Sequence, residues 1–314
     1  MNSLRYALRS LAGAVATLLV SSFTIFLALG LSPGDAATRL AGSRADAATI
    51  AAVRHRYGLD RPLWERYTDW LTGALHGDFG TSLTHHQSVG SLVAPRLEQT
   101  LQLLAYTGLL IFIGGIGAGV LGAVFKRLGG VLTVLSGIGV AIPTFVASAV
   151  LVEVFALRLG WFPALSSGVD GMGLVRRLTL PACALALSWA AYLAQVVRAT
   201  VRENLDAEHV RTARSRGLRE ASILRRHILR NAAPDVVTVS GLAVAGLLAG
   251  AVVVEQAFGL GGIGAFLIQS VQTKDSNAVL AVSLLMILAF VAVTTATDIV
   301  HRILDPRVRK EIAR

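Results

Sequence analysis

The charged residues between Arg198 and Arg230 are the group in this chain whose types and spacing could do chemistry. The run holds nine basic and four acidic residues and lies between two hydrophobic stretches. Guanidinium and carboxylate groups at this density recognise a surface of complementary charge. We therefore expect the run to dock on a partner protein or on lipid headgroups.

The element that must position these charges is a short helix. Asp206 is typical of a helix N-cap, because its carboxylate accepts hydrogen bonds from the free N–H groups of the first turn. Gly217 is typical of a helix end, because glycine adopts the left-handed backbone conformation at low cost. The pattern predicts a helix over residues 207–216. A helix of about ten residues is unstable alone in water, so something else must hold it.

The sequence contains no motif of known catalytic chemistry. It has no GxxxxGK(S/T) phosphate loop, no HExxH and no GxSxG. The glycine-rich run 259–264 resembles a dinucleotide fingerprint only superficially, because it follows no soluble strand. Cys183 is the single cysteine, which excludes an internal disulfide and a cysteine-based zinc site. His85 and His86 lie on a polar loop without other metal ligands nearby in the sequence, so we predict no metal site. Because the motifs above are missing, we also predict no catalytic residue and no bound cofactor.

The composition indicates an integral helical membrane protein. Hydrophobic residues make up 54% of the chain, charged residues 15%, and the mean hydropathy is +0.63. A soluble domain would carry roughly 25% charged residues. The net charge of +10 could indicate nucleic-acid binding, but Lys and Arg collect in loops between the hydrophobic stretches, which is typical of cytoplasmic loops. We therefore expect contact with membrane lipid and no nucleic-acid partner.

Six apolar stretches are long enough to cross a bilayer, which takes about 20 helical residues. The first could be a signal peptide, but its apolar run is longer than usual and no cleavage motif follows. In the second, Gly115 and Gly119 are spaced to let another helix approach closely. In the third, Pro143 predicts a kink. The predicted spans are 11–31, 100–125, 130–157, 179–198, 235–256 and 277–300.

Residues 32–99 form an amphipathic segment between the first two spans, with seven basic and seven acidic residues. The segment predicts one helix over 45–57, with Asp46 near its start and Gly58 after its end, and a second that begins at Pro62. Aromatic residues at helical spacing in the second helix could bind a ligand. Packing at the membrane interface or against a partner subunit is favoured. These residues are Trp64, Tyr67 and Trp70.

The distribution of basic residues predicts the orientation. If the N-terminus lies inside and the chain crosses six times, 18 of the 29 Lys and Arg residues fall in inside segments. On the outer side, a short helix is predicted over 264–272, and Glu153 fits either a substrate path or the interface. The predicted organisation is a tail and first span (1–31), an extracytoplasmic helical segment (32–99), a transmembrane core (100–301) with the cytoplasmic loop 198–234, and a cytoplasmic tail (302–314).

Six short stretches occur along the chain in this order: LSPGD (31–35), GLDRPL (58–63), GDFGTS (77–82), GWFP (160–163), VRTARSRGL (210–218) with RHILRNA (226–232), and LDPRVR (304–309). They resemble, in the expected order, the signatures of binding-protein-dependent ABC importer permeases of the oligopeptide/dipeptide/nickel subfamily, first permease subunit type. The loop from Asp206 to Pro234 resembles the EAA-type loop of these permeases. Three departures leave this loop intact: Pro234 stands one residue before the usual proline, Gly261 replaces a proline, and Ser276-Asn277 replaces a Tyr-Pro pair.

The resemblance implies an all-α type I ABC importer permease with six transmembrane helices. It would lie in the bacterial inner (plasma) membrane with both termini in the cytoplasm. The implied partners are a homologous second permease, two ATPase subunits or one fused pair that use ATP and Mg, and an extracytoplasmic solute-binding protein. The short loop helix would fit a groove in the ATPase. The residues that would carry this coupling are Glu208, Arg211, Thr212, Ala213, Arg216 and Gly217.

By resemblance the cargo is peptides, while nickel or metallophore chelates, glutathione or another small solute stay open. No residue of the sequence identifies the substrate-binding positions. A secondary transporter, the rival from another class, would usually show inverted repeats and charges near the middle of its spans. Here the few acidic residues in the spans lie mostly near their ends, which favours the importer.

Overall fold

Helices make up most of the described chain, as the composition predicts. The computed structural model describes residues 2–31, 36–42, 45–56, 58–166 and 173–304. The predicted break at 32–35 and the tail from residue 305 onward lie outside these ranges. The first seven helices are α1 (Asn2–Leu31), α2 (Ala36–Ala41), α3 (Ala47–Arg56), α4 (Leu63–Leu75), α5 (Val89–Ile111), α6 (Gly117–Val124) and α7 (Lys126–Ala141). The others are α8 (Thr144–Leu151), α9 (Leu174–Leu205), α10 (Glu208–Ser215), α11 (Glu220–Ile223), α12 (Leu229–Ala257), α13 (Ile263–Gln272) and α14 (Ser276–Leu304).

Three short π-helical segments join some of these helices end to end. One of them runs between α5 and α6, so that the two helices and the segment form one continuous span. This span begins at Val89 rather than near residue 100, so the end of the predicted segment 32–99 is already helical. The π-helical segments are Phe112–Ile116, Val152–Arg158 and Leu224–Ile228.

The six predicted spans are confirmed, with a change in the shape of the third. Among the described residues, five stretches are helical, long and apolar enough to cross a membrane. A further pair, Arg127–Ala141 and Thr144–Arg158, is bent by 104° and makes a sixth when counted as one broken span. The five continuous spans are Leu11–Leu31, Val89–Val124, Leu174–Leu205, Leu229–Ala257 and Ser276–Val300.

The third span is broken where only a kink was predicted. Ile142 and Pro143 both have extended backbone, with ψ angles of 117° and 144°. Proline lacks the N–H that an interior helix position needs, and it disfavours the helical conformation in the residue before it. The two residues together therefore end one helix and start the next.

The chain forms two compact units. One comprises residues 3–97 and 266–289, and the other comprises residues 98–265 with the described residues from 290 onward.

In the second unit, α9 is the central helix, and α6, α7, α8 and α12 pack against it. Glycines on these neighbours allow the close approach. A Cβ atom built at Gly119 would lie 2.6 Å from Cβ of Val197, and one built at Gly139 would lie 2.8 Å from Cβ of Ala191. The prediction that Gly119 lets another helix approach closely is confirmed, and α9 is that helix.

In the first unit, α4 packs on α1 through its aromatic residues. The Tyr67 hydroxyl lies 2.8 Å from the Ser22 hydroxyl, and its ring makes edge contacts with Phe23 and Phe26. Trp64 is largely exposed. The aromatic residues were predicted either to bind a ligand or to pack against another surface. Tyr67 packs, and the surface that it contacts is the first span of the same chain.

The GDFGTS stretch of the first unit is tied to the start of α14. Asp275 is buried, and its carboxylate accepts hydrogen bonds from the Ser82 hydroxyl and from the backbone N–H of Thr84. The same carboxylate caps α14 by accepting from the N–H of Ala278 at 3.3 Å. Asn277 donates to the carbonyl of Thr81 at 2.9 Å. These bonds show what the GDFGTS stretch and Asn277 do in the structure: they join the loop to the start of α14.

Candidate functional site

The candidate site is α10, the short helix of the charged loop. Its start differs from the prediction. Asp206 has helical backbone angles and ends α9, while Ala207 is extended and stands at the N-cap of α10 without a capping side chain. The predicted Asp206 cap is wrong. Only two residues separate α9 from α10, and an N-cap residue must have extended backbone. Asp206 keeps the helical conformation, so the N-cap falls on Ala207. Glu208 places a negative charge in the first turn instead, which favours the helix through its dipole.

The end of α10 is as predicted. Gly217 has a φ of +74°, in the left-handed region that side chains other than glycine rarely adopt. Its N–H donates to the carbonyl of Arg214 at 2.9 Å, and the N–H of Leu218 donates to the carbonyl of Ala213 at 3.3 Å. These two bonds make a Schellman motif, which satisfies carbonyl groups that the helix end leaves free.

One face of α10 packs into the protein. Val210 and Ala213 are buried and belong to the same apolar core as Val201 of α9 and Ile223 of α11. This burial supplies the support that the length of the helix requires. Sequence reasoning missed Val210, although an apolar residue three positions before Ala213 in a polar run is a signal of a buried helix face.

Polar contacts fix α10 to its neighbours. Arg214 makes two hydrogen bonds to the Glu220 carboxylate, at 2.7 and 3.2 Å. These bonds lower the pKa of Glu220 and raise that of Arg214. His209 lies 3.2 Å from the Asn231 side-chain nitrogen, which joins α10 to the first turn of α12. Sequence reasoning missed these pairs, because nothing in the sequence pattern pairs Arg214 with Glu220 rather than with another acid.

The opposite face of α10 is exposed and carries most of the predicted coupling residues. Ala213 is the exception, because it faces the protein's own core. Within the described part of the chain, neither Arg211 nor Arg216 has an ion-pair partner. Both charges are therefore free to meet acidic groups of another protein. The exposed members of the predicted set are Glu208, Arg211, Thr212, Arg216 and Gly217.

A cavity of about 410 Å³ lies behind this loop. Val124 at the end of α6, Leu205 at the end of α9 and Leu224 line it together with the Arg214–Glu220 pair. The cavity therefore lies between the charged loop and the ends of α6 and α9.

The other candidate residues do not form a site within the described ranges. No group of three or more His, Cys, Asp or Glu residues there is arranged to hold a metal ion. The ring of His85 lies 6.0 Å from that of Phe266. Glu153 is exposed and pairs with Arg158 at 2.9 Å.

Comparison with known families covers nearly the whole chain. Residues 115–310 match the family described as binding-protein-dependent transport system inner membrane component. Residues 3–104 match the N-terminal family of the membrane components of the same systems. The first match includes the whole loop that carries α10.

Curated relatives match over almost their full length. The glutathione transport system permease protein GsiC of Escherichia coli (strain K12) is 34% identical over 311 residues, which cover 98% of this chain and 99% of the relative. A protein of Brucella abortus (strain 2308) that carries the name of a peptide transport system permease is 36% identical over 310 residues, which cover 96% and 98% of the two chains.

A solved structure shares the fold. A chain of the MetNI methionine ABC transporter, in an inward-facing form, superposes with a TM-score of 0.53 at 18% identity. The superposition covers 68% of this chain and 96% of the other.

Proposed function

Because this chain belongs to the family of inner membrane components of binding-protein-dependent transport systems, and is thus a multi-pass ABC importer permease with the type I fold, we propose that it carries small peptides. The observation behind this cargo is the similarity to relatives named for peptide and glutathione transport. Glutathione is itself a small peptide and is the second candidate. The pathway would form between this permease and a homologous second permease.

In this proposal α10 is the docking element for an ATPase subunit. Glu208, Arg211, Thr212, Arg216 and Gly217 form the contact surface. It fits an acidic groove, because its two arginines have no ion-pair partner in the described ranges. Ala213 contributes from behind, by packing the helix onto the core.

The ATPase partners, two subunits or one fused pair, bind ATP and Mg, and this chain binds no cofactor. ATP binding closes the ATPase pair, and α10 passes the movement to α9 and α12, to which single polar contacts join it: Arg214 to the carbonyl of Leu205, and His209 to Asn231. The pathway then alternates between outward and inward openings, which requires two discrete arrangements of packed helices. A solute-binding protein delivers the cargo from the other side.

The same proposal fixes the orientation. The loop 198–234 and both termini lie in the cytoplasm of the bacterial inner membrane, and residues 32–99 lie outside. The support is the distribution of basic residues between the spans.

Reconstitution in liposomes tests this function. The permease, its partner permease and the ATPases should hydrolyse ATP in response to a binding protein loaded with a labelled dipeptide or with glutathione, and the label should enter the vesicles. The permease alone should show no ATP hydrolysis. Hydrolysis by the isolated permease, or stimulation by neither peptide, would contradict the proposal.

A further inference from the structure

Glu255 is a buried acidic residue to which the mechanism above gives no role. It lies in the last turn of α12 and is 1% exposed. A buried carboxyl group loses its interactions with water, so it persists where hydrogen-bond donors from the protein replace them. The partners of Glu255 therefore indicate what the residue does.

The partners are the start of α13 and one hydroxyl of α5. Thr100 donates its hydroxyl to Oε1 of Glu255 at 2.5 Å, and the N–H of Ala265 donates to Oε2 at 3.0 Å. The N–H of Ile263 donates to the Thr100 hydroxyl oxygen at 2.9 Å. Two residues outside α13 thus satisfy two of the free N–H groups in its first turn.

The turn before α13 supplies no side chain that could bond to these N–H groups. Gly262 precedes the helix and has no side chain that could cap it. A Cβ atom at Gly262 would occupy the place of the Glu255 carboxylate, and one at Gly264 would lie 2.9 Å from Oε2. The two glycines therefore make room for the carboxylate, which acts as the N-cap from another helix.

The position of Glu255 along α12 connects it to transport. The first turn of α12 contacts α10 through Asn231 and His209, and its last turn carries Glu255. A continuous helix of 29 residues is about 43 Å long, at 1.5 Å per residue. The four glycines between residues 259 and 264 would leave the connection to α13 flexible without further bonds.

We propose that Glu255 and Thr100 are positioning residues for transport, which hold the first turn of α13 to the end of α12 and to α5. The clamp makes the first turn of α13 follow the movement that α10 imparts to α12. The inference rests on the proposed function, because it is transport that requires this movement. Neither residue touches the cargo in this proposal.

The test compares valine substitutions at two threonines of α5 in the assembled importer. Thr100→Val removes the clamp hydroxyl. Thr107→Val is the matched control, because the hydroxyl of Thr107 is buried and has no hydrogen-bond partner among the described residues. At equal amounts of assembled complex, Thr100→Val should lower the maximal uptake rate about ten-fold, since it leaves Oε1 of the buried Glu255 carboxylate and the N–H of Ile263 without their bonds to the hydroxyl. The concentration of loaded binding protein at half-maximal rate should stay unchanged, Thr100→Ser should restore most of the rate, and Thr107→Val should transport like the wild type.

Two further measurements separate the clamp from a general loss of stability. Glu255→Gln combined with Thr100→Val should lower the rate no more than the worse single change, because both act on one unit. Hydrogen exchange of the Ile263 and Ala265 amides should be about ten-fold faster in Thr100→Val and unchanged in Thr107→Val.

Three results would overturn the proposal. They are a wild-type rate per complex in Thr100→Val, equal losses in both valine variants, and unchanged exchange of the two amides. A wild-type complex that transports no peptide would instead contradict the proposed function. The exchange measurement would still test the clamp in that case, because it does not depend on transport.

Discussion

The helices α10 and α13 are of similar length, eight and ten residues, but their ends are held in different ways. The end of α10 is closed by bonds within its own loop, and its exposed face carries Arg211 and Arg216, which have no ion-pair partner among the described residues. The start of α13 is closed by a buried carboxylate and a hydroxyl from two other helices. Neither helix is long enough to be stable alone. The difference fits the proposed roles: α10 would present its charges to an ATPase subunit, whereas α13 receives its bonds from other helices of its own chain.

The largest expected effect concerns the sides of the membrane on which the two helices lie. In a Cys183→Ser background, a membrane-impermeant thiol reagent added to intact cells should label Gln272→Cys, at the end of α13, and leave Ser215→Cys in α10 unlabelled. Both positions are exposed, so both should react once the cells are permeabilised. If Ser215→Cys were labelled in intact cells as well as Gln272→Cys, α10 and α13 would both lie on the outer side of the membrane. The difference between the two helices could then not reflect different sides of the membrane.

The next effect concerns Gly217, where α10 ends. Gly217→Val should lower transport at least about ten-fold, because the left-handed conformation costs a residue other than glycine about 1–2 kcal/mol and valine is branched at Cβ. Membrane insertion and abundance should stay near normal, and ATPase co-purification should weaken.

Two controls sharpen this result. Apart from the adjacent residues of the chain, no atom of the described residues lies within 4 Å of a Cβ built at Gly217, so we expect any steric block by a side chain to come from a partner. Gly217→Asn, which tolerates the left-handed conformation, should be milder if strain dominates and equally severe if close approach dominates. Leu218→Ile should be far milder than either. Normal transport by Gly217→Val at normal abundance would remove the docking role of α10.

A smaller effect is expected from loosening the inner face of α10. Val210→Ala should cost about 1–2 kcal/mol, because Val210 is fully buried. ATPase co-purification should fall by a few fold, while the spans remain intact. The same substitution at the exposed Val253 of α12 is the control and should change nothing. If both variants keep the wild-type amount of ATPase, burial of Val210 does not hold α10 in its docking position.

The smallest effect is expected from the exposed Arg214–Glu220 pair. Glu220→Gln should lower the Tm of the purified complex by less than about 2 °C, and less in high salt. The pair lowers the pKa of Glu220 in the folded protein. Its contribution to stability is therefore complete above the ordinary glutamate pKa near 4.3, and it is lost as the pH falls through the lower pKa of the folded state. The Tm difference between the two proteins should therefore be constant from about pH 5 to 8. A difference that changes within this range would assign the effect to another group.

Much of the fold could be predicted from the sequence, because some features depend only on residues close together in the chain. A long apolar run predicts a membrane span, and a glycine after a helical pattern predicts the helix end. The spans and the end of α10 at Gly217 are of this kind. The break at Pro143 was underestimated, because the sequence does not show whether neighbouring helices straighten a proline kink. The Asp206 cap was wrong because the length of the turn after α9 decides which residue is extended, and this length is set by packing.

The contacts of the two sites could be predicted only in part. The exposed residues of α10 were found through the resemblance, and Ala213 was placed with them although it is buried. The clamp at Glu255 was not predicted, because Thr100 and Glu255 are 155 positions apart and an acidic residue at the end of a span does not by itself identify its partner. Pairing over such distances depends on which helices meet, and no periodicity in a single sequence encodes it.

The bonds around Asp275 have a consequence for biogenesis. Ser82 and Asp275 are 193 positions apart, so at about 5–20 residues per second the ribosome makes Asp275 roughly 10–40 s after Ser82. During that interval the GDFGTS stretch has neither the carboxylate nor Asn277 to bind. The nascent chain thus completes this part of the first unit only once it has been synthesised to the start of its last span, and a chain that terminates before Asp275 leaves the stretch without these partners.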